Sequence, residues 1–123
     1  MHHMQPISEA ELEIMHIIWD GEEPLNSIEI RKRVEASRAW NKSTTFTLLN
    51  RLIDKGYLRK ENRGLYYFVP VLSREEYESA LAKSLLIAHY QGSAGKFISA
   101  LFRSHDVSIE ELDELIASLK RGE

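Results

Sequence analysis

The sequence predicts a mainly α-helical protein with one small β-hairpin, and three observations predict this fold class. Four capping-box patterns, in which a small polar residue stands three positions before a Glu, mark helix starts. Residues 57–71 are rich in Tyr, Phe, Val and Leu and contain the turn signal Asn62-Arg63-Gly64. After Ser73 only helical periodicity remains. The capping pairs are Ser8 and Glu11, Asn26 and Glu29, Ser73 and Glu76, and Ser108 and Glu111.

The first half of the chain contains three predicted helices. The first spans residues 8–20, where apolar side chains cover a broad face before Gly21 ends the helix. A short second helix spans residues 27–35. The third spans residues 43–55, because aliphatic residues recur at helical spacing before the helix-ending Gly56. In the second helix, the side chains predicted to point inward are Ile28, Ile30 and Val34.

A hairpin and three further helices complete the predicted order. The strands of the hairpin are residues 57–61 and 65–71. In the second strand Tyr66, Tyr67 and Phe68 alternate in direction, so one face packs and the other is exposed. Helices follow over residues 74–90, around residues 97–102 and over residues 109–119. Their apolar residues recur at the spacing of a helix face.

The charges of the chain are distributed unevenly along it. The formal net charge is −3, yet residues 31–63 carry ten basic and three acidic side chains. Residues 1–30 carry seven acidic side chains and no Lys or Arg, and residues 64–123 carry six basic and nine acidic ones. A basic segment within an acidic chain indicates a polyanionic partner. This segment extends from the second predicted helix to the tip of the hairpin.

Three short helices followed by a basic hairpin are the components of a winged helix-turn-helix. We therefore predict a winged-helix domain in residues 1–72 and a helical dimerisation segment in residues 73–123. In such folds the third helix enters the major groove of double-stranded DNA and its outer side chains meet base edges. The second helix and the hairpin, called the wing, contact phosphates and fix the register.

The outer face of the predicted third helix is small, polar and flanked by basic residues. Short side chains permit close approach to base edges, and the amide of Asn50 matches the donor and acceptor of adenine. The predicted recognition residues are Lys42, Ser43, Thr44, Phe46, Thr47, Asn50 and Arg51. The residues predicted to contact the DNA backbone from the wing are Arg59, Lys60 and Arg63.

The helices after residue 73 carry more apolar surface than they can hide by themselves. Burial against a twofold-related second copy would cover this surface, so we predict a homodimer. The residues assigned to the dimerisation surface are Tyr77, Leu81, Leu85, Phe97, Leu101, Phe102, Ile109, Leu112, Leu115, Ile116 and Leu119.

Several classes of protein are excluded or disfavoured by what the sequence lacks. The absence of cysteine excludes disulfides, thiolate metal sites and cysteine nucleophiles. No phosphate-binding loop, nucleophile elbow or zinc-protease motif occurs, and the histidines lack ligand spacing, so we predict no enzyme, no metal site and no cofactor. No apolar run is long enough to span a bilayer and no secretion signal is present. We predict a cytoplasmic protein without membrane insertion.

Several stretches of the sequence carry a resemblance to a known family, the penicillinase-repressor (BlaI/MecI/CopY) family of transcription regulators. The stretches that resemble it are SEAELEIM at residues 8–15 with IIW at residues 17–19, Trp40 followed by TTFTLLNRL at residues 44–52, KGYL at residues 55–58, and GLYYFVP at residues 64–70. The resemblance extends over residues 7–120. It implies a homodimeric repressor that binds a palindromic operator and controls an antibiotic-resistance-type operon. It also implies that Thr44 and Thr47 are the recognition-helix threonines.

The sequence departs from the family pattern at positions that matter for regulation. In antibiotic-responsive members, a membrane sensor-protease initiates cleavage of an Asn–Phe bond in the dimerisation region. The matching bond here is Leu101–Phe102, which lacks the Asn. Phe46 stands where relatives carry a basic residue, which implies a different base preference. Because the chain has no cysteine, copper sensing through the cysteine motif of the copper-responsive members is excluded.

Two alternative functions stay open at the level of sequence. One is a ligand-responsive winged-helix regulator, in which a small molecule or a metal ion binds near the dimer helices. The other is a winged-helix protein-interaction module that does not bind DNA. In that case the exposed face of the third helix should be acidic or apolar, whereas here bases flank it.

Overall fold

The computed structural model describes residues 5–122 and confirms the predicted fold class. Three helices precede a hairpin and three helices follow it, with one additional short strand. Within the described residues the elements are α1 (Glu9–Asp20), β1 (Leu25–Asn26), α2 (Ser27–Ser37), α3 (Lys42–Asp54), β2 (Leu58–Arg63), β3 (Leu65–Pro70), α4 (Arg74–His89), α5 (Ala94–Arg103) and α6 (Ile109–Lys120).

Side-chain caps fix where the helices begin. At α1, the amide of Glu11 donates to Ser8 Oγ at 3.1 Å and the amide of Ser8 donates to Glu11 Oε1 at 2.9 Å. The same reciprocal pattern opens α2 at Asn26. Asn41 and Ser93 cap α3 and α5. Neither was predicted, because neither residue is followed by Glu at the third position, which is the signal of a capping box.

The three strands form one antiparallel sheet in the order β1-β3-β2. Phe68 in β3 lies opposite Leu25 in β1 and Lys60 in β2. The sequence did not predict β1, because two residues between a proline and a helix cap are too few to show strand periodicity. The hairpin turns at Gly64, whose φ of +88° is a conformation that favours glycine.

The residues up to Glu78 form the first compact unit, and those from Ser79 form the second. In the first unit, α1, α2 and α3 pack with the sheet around one hydrophobic core. Trp19 and Trp40 are half-buried and pack against this core. The buried apolar residues are Ile14, Met15, Ile18, Leu25, Ile30, Val34, Leu48, Leu49, Leu52, Tyr57, Leu58, Phe68 and Tyr77.

Ile28 departs from the predicted core. Its side chain is 46% exposed, whereas Ile30 and Val34 are buried. Ile30 and Val34 are four residues apart and share one face of α2, whereas a separation of two residues turns Ile28 to the opposite side. The prediction that Ile28 points inward was therefore wrong.

Tyr77 also departs from its predicted place. It is only 8% exposed and belongs to the core of the first unit. Its ring centroid lies 5.3 Å from that of Trp19 and 6.0 Å from that of Tyr57. This burial corrects the assignment of Tyr77 to the dimerisation surface. The spacing of Tyr77, Leu81 and Leu85 indicated a shared helix face but contained no information on what covers each residue.

The second unit contains the remainder of α4 together with α5 and α6. No residue of α5 or α6 is fully buried. Tyr90 and Phe97 pack edge to face at 5.3 Å between ring centroids. Of the predicted dimerisation residues in this unit, the half-buried ones are Phe97, Leu101, Phe102 and Leu112. The exposed ones are Leu81, Leu85, Ile109, Leu115, Ile116 and Leu119.

Residues 5–122 contain no helix that could cross a membrane and no cluster of possible metal ligands. None of the helices there is both long and apolar enough to cross a bilayer. No group of three or more histidine or acidic side chains in that range is placed to hold a metal ion.

Candidate nucleic-acid interface

Helix α3 is held with one face in the core and the other in solvent. Its first turn is fixed by Asn41, whose side chain accepts a hydrogen bond from the amide of Thr44 at 2.8 Å. The hydroxyl of Thr45 is buried and donates to the carbonyl of Asn41 at 3.2 Å. The apolar stripe that includes Leu48 and Leu52 then anchors the helix against the core. Thr45 is therefore structural, whereas Thr44 is exposed.

The outward face of α3 presents side chains with different hydrogen-bonding capacity. Ser43, Thr47 and Asn50 are exposed and follow one another at spacings of four and three residues, so they share one face. The hydroxyl of Thr47 donates to the carbonyl of Ser43 at 2.9 Å, which leaves its oxygen lone pairs and methyl group for a ligand. The side-chain carboxamide of Asn50 makes no hydrogen bond within residues 5–122, so both its N–H donors and its oxygen acceptor are available.

Phe46 lies at the margin of this face. It is half-buried and packs against the core, and the ammonium of Lys42 lies 5.8 Å from the centroid of its ring. Part of the ring is therefore used for packing. Lys42 and Arg51 are exposed near the two ends of the predicted recognition set.

Half of the basic side chains in residues 31–63 form ion pairs with acids of the same chain, and two of them share one acid. The ion pairs are Arg31–Glu35 at 3.5 Å, Arg38–Glu13, Lys55–Glu11 at 2.8 Å, Arg59–Glu61 at 3.1 Å and Arg63–Glu61 at 2.5 Å. The cations of this segment that form no ion pair with another described residue are Lys32, Arg33, Lys42, Arg51 and Lys60.

The wing divides its basic side chains between the two faces of the hairpin. Alternation along β2 places Arg59, Glu61 and Arg63 on one face and Lys60 on the other. Hydrogen bonds from Arg59 and Arg63 hold the pKa of Glu61 below its usual value, so the carboxylate stays ionised at neutral pH. The ammonium of Lys60 lies 4.5 Å from the ring centroid of Tyr66. The three predicted wing contacts are thus not equivalent, and Glu61 takes part although it was not among the predicted residues.

A buried ion pair joins the start of α1 to the end of α3. The side chain of Glu11 is 2% exposed, and its Oε1 accepts from Lys55 Nζ at 2.8 Å and from the amide of Ser8. Burial by itself would raise the pKa of Glu11, but the hydrogen bonds from Lys55 and Ser8 outweigh it and hold the pKa below 4.5. This pair was not predicted. Its signal was the position of Glu11 on the same helical face as Ile14 and Ile18.

Lys55 and the nearby Tyr57 also anchor the segment before α1 by hydrogen bonds. Lys55 Nζ donates to the carbonyl of Pro6 at 3.0 Å, and the phenol of Tyr57 donates to the carbonyl of Gln5 at 2.5 Å. Burial raises the pKa of Tyr57 to about 12, which keeps this donor protonated. Lys55 therefore serves the fold and is not available to a polyanion.

A family model described as penicillinase repressor matches residues 7–121. The chain belongs to the penicillinase repressor family. The penicillinase repressor of Bacillus licheniformis is 30% identical over 115 residues, which cover 93% of this chain and 89% of that protein. The methicillin resistance regulatory protein MecI of Staphylococcus aureus strain N315 is 26% identical over 110 residues, 89% of each chain. These relatives are regulators and not enzymes, which confirms the prediction that the chain is not an enzyme.

Solved structures of this repressor family share the fold of the first unit. The solution structure of the DNA-binding domain of the repressor BlaI matches with a TM-score of 0.56 at 33% identity. The Bacillus licheniformis BlaI monomeric form in complex with the blaP half-operator matches with a TM-score of 0.54 at 32% identity. Each match covers 63% of this chain and 94% of the other. The predicted winged helix is thereby confirmed.

Proposed function

We propose that this member of the penicillinase repressor family is a transcriptional repressor that binds a palindromic operator in double-stranded DNA as a homodimer. The observation that carries the proposal is the exposed, small and polar face of α3, which includes the side-chain carboxamide of Asn50 with no hydrogen-bond partner among the described residues. This face lies on a fold that matches BlaI solved in complex with a half-operator. It is neither acidic nor apolar, which disfavours a protein-interaction module.

The proposed contacts follow from which side chains are free. Helix α3 enters the major groove, with Asn50 and Thr47 at base edges. Lys42 and Arg51 neutralise phosphates on either side of the groove. Ser43 and Thr44 begin the helix, where backbone amides also favour phosphate. Lys60 supplies the unpaired cation of the wing, because it has no carboxylate partner among the described residues.

We expect operator affinity to fall steeply with salt, since each neutralised phosphate releases condensed counterions. If the five cations of residues 31–63 that form no ion pair with a described residue all neutralise phosphates, a dimer has a limiting slope of roughly −9 in a plot of log K against log salt concentration. We expect a slope of roughly −5 to −9, measured by fluorescence anisotropy on a labelled operator selected from random DNA. An affinity independent of salt would contradict the proposed interface.

Dimerisation is assigned to the exposed apolar side chains of the second unit. On α6 these are Ile109, Leu115, Ile116 and Leu119, which share one stripe with the half-buried Leu112. A twofold interface would bury this stripe against its own copy. A palindromic operator is the DNA counterpart of such symmetry, because each half-site then meets one winged helix.

Replacing Leu115 by Asp should make the protein monomeric at micromolar concentration. Leu115 is 54% exposed, so the substitution leaves the folded unit intact while placing two carboxylates in the dimer interface. We expect the dimer dissociation constant to rise by at least about 100-fold, measured by analytical ultracentrifugation. Ala117→Asp introduces the same charge on the other side of α6 and serves as the control. Equal dimerisation of wild type and Leu115→Asp would exclude this stripe as the interface.

Release of the operator through a membrane sensor-protease has less support than DNA binding and dimerisation. The Leu101–Phe102 bond lies within α5, so a protease would require the last turns of this helix to unwind. Both side chains are half-buried, and Leu101 stands where the cleaved relatives have Asn. Packing of the second unit is therefore the role we propose for these two residues.

A further inference from the structure

The arrangement around Glu61 suggests a function that the predicted contacts of the wing do not include. Each of its two carboxylate oxygens accepts from a different arginine. Arg59 Nη2 donates to Oε1 at 3.1 Å and Arg63 Nη2 donates to Oε2 at 2.5 Å. Both arginines belong to the set expected to contact the DNA backbone. In the free protein each arginine thus donates one hydrogen bond to a carboxylate of the same strand.

The geometry of this cluster is set by the strand itself. Arg59, Glu61 and Arg63 alternate along β2 and therefore project from the same face of the hairpin. Arg63 is further restrained by Tyr67, since its guanidinium lies 5.1 Å from the centroid of that ring. The side chains of Arg59 and Arg63 remain 59% and 52% exposed, whereas that of Glu61 is 29% exposed. The arginines are consequently accessible to a polyanion while their partner lies beneath them.

Carboxylate and phosphate compete for the same guanidinium donors. Arginine binds either anion through the same fork of N–H groups. An exposed ion pair of this kind is weak, so a phosphate can displace Glu61. The displaced carboxylate then lies close to the phosphate and repels it. The cost of displacement and the repulsion both reduce the affinity that two arginines would otherwise provide.

We propose that Glu61 is a charge clamp on the wing, which holds Arg59 and Arg63 in the free protein and limits the affinity for DNA phosphates. This inference rests on the proposed function and assigns a residue that tunes it. Because phosphate contacts act on any sequence, the clamp reduces non-operator binding as well as operator binding. The clamp therefore sets the overall strength of attachment to DNA, while α3 provides the selectivity.

Glu61→Gln tests the clamp, because it removes the charge and keeps the size of the side chain. We expect its affinity for both operator and non-operator DNA to rise by about tenfold at fixed salt, with a salt slope steeper by about 1 to 2 for the dimer. Glu114→Gln removes the same charge from an exposed position on α6 and should leave both values unchanged. In an Arg59→Gln/Arg63→Gln background, Glu61→Gln should bring little gain.

Other outcomes would overturn the clamp. Weaker binding by Glu61→Gln would show that Glu61 orients the arginines for DNA, and unchanged binding would show that the arginines do not approach it. Retention on heparin, a polyanion without base sequence, provides a readout that does not depend on an operator. Glu61→Gln should elute at higher salt than wild type and Glu114→Gln. A wild-type protein that selects no operator would contradict the proposed function, and the heparin elution would still decide on the clamp.

Discussion

Replacing Lys55 by Met should lower the free energy of unfolding of the first unit by about 3 kcal/mol. The substitution keeps the aliphatic part of the side chain but leaves the carboxylate of Glu11, which is 2% exposed, without its cation. Breaking a buried pair by removal of one partner is costly, because a charge then stays desolvated and uncompensated. The value is at the lower end for buried pairs, since the side chain of Lys55 is 26% exposed and solvent screens it.

Urea denaturation followed by circular dichroism would measure this loss. The double variant Glu11→Gln/Lys55→Met should recover most of it, because no buried charge remains and Gln can keep the capping hydrogen bonds to Ser8. Arg38→Met breaks the ion pair with Glu13 at the surface and is the matched control, with a clearly smaller effect. A loss for Lys55→Met no larger than that for Arg38→Met would show that the pair does not hold α1 and α3 together.

The same pair gives a pH dependence of known sign. The pKa of Glu11 is lowered in the folded state, below the usual 4.5. Its contribution to stability is therefore complete above about pH 4.5 and is lost as the pH falls through the folded pKa. The difference in unfolding free energy between wild type and Glu11→Gln should accordingly shrink as the pH falls below about 4.5. A difference that is constant down to pH 3 would contradict the assigned shift.

Local signals in the sequence determined most of the fold. The capping pairs at Ser8 and Asn26 and the glycine after α3 predicted helix limits that the structure reproduces within one or two residues. Such signals act between neighbours along the chain, so they are readable without knowledge of the tertiary structure. The strand β1 carries no such signal, because its pairing with β3 depends on residues about 40 positions away.

The errors concern properties that depend on tertiary contacts. Tyr77 was placed on the dimerisation surface because its spacing relates it to Leu81, but only the packing of Trp19 and Tyr57 shows that it is covered. Counting charges along the chain also overestimated the free positive charge of the basic segment. The alternation of Arg59, Glu61 and Arg63 would have revealed part of that neutralisation, because strand residues two apart share a face.

Replacing Asn50 by Ala should remove discrimination at a single base position of each operator half-site. The side chain is exposed on the outward face of α3, and within residues 5–122 no group accepts from it or donates to it. A free carboxamide can make two hydrogen bonds to adenine, and such a pair contributes about 1–3 kcal/mol of discrimination against the wrong base. We therefore expect preference at that position to fall by roughly 5- to 150-fold.

The measurement is a competition of the selected operator against operators with every base replaced at each position. Asn50→Ala should flatten the profile at one symmetric pair of positions and leave the others unchanged. Thr47→Ala should have a smaller effect, because the hydroxyl proton of Thr47 is already donated to the carbonyl of Ser43. Ala is also a better helix former than Thr, so the fold of this variant is retained.

Lys60→Ala provides the comparison that distinguishes base recognition from electrostatic attraction to phosphates. Lys60 lies on the wing and has no carboxylate partner among the described residues, so its loss should weaken binding to all sequences alike and reduce the salt slope by about 1 per protomer. Asn50 carries no charge, so Asn50→Ala should leave the salt slope unchanged. If Asn50→Ala instead weakened binding uniformly and Lys60→Ala altered base preference, the wing and not α3 would be the reading element.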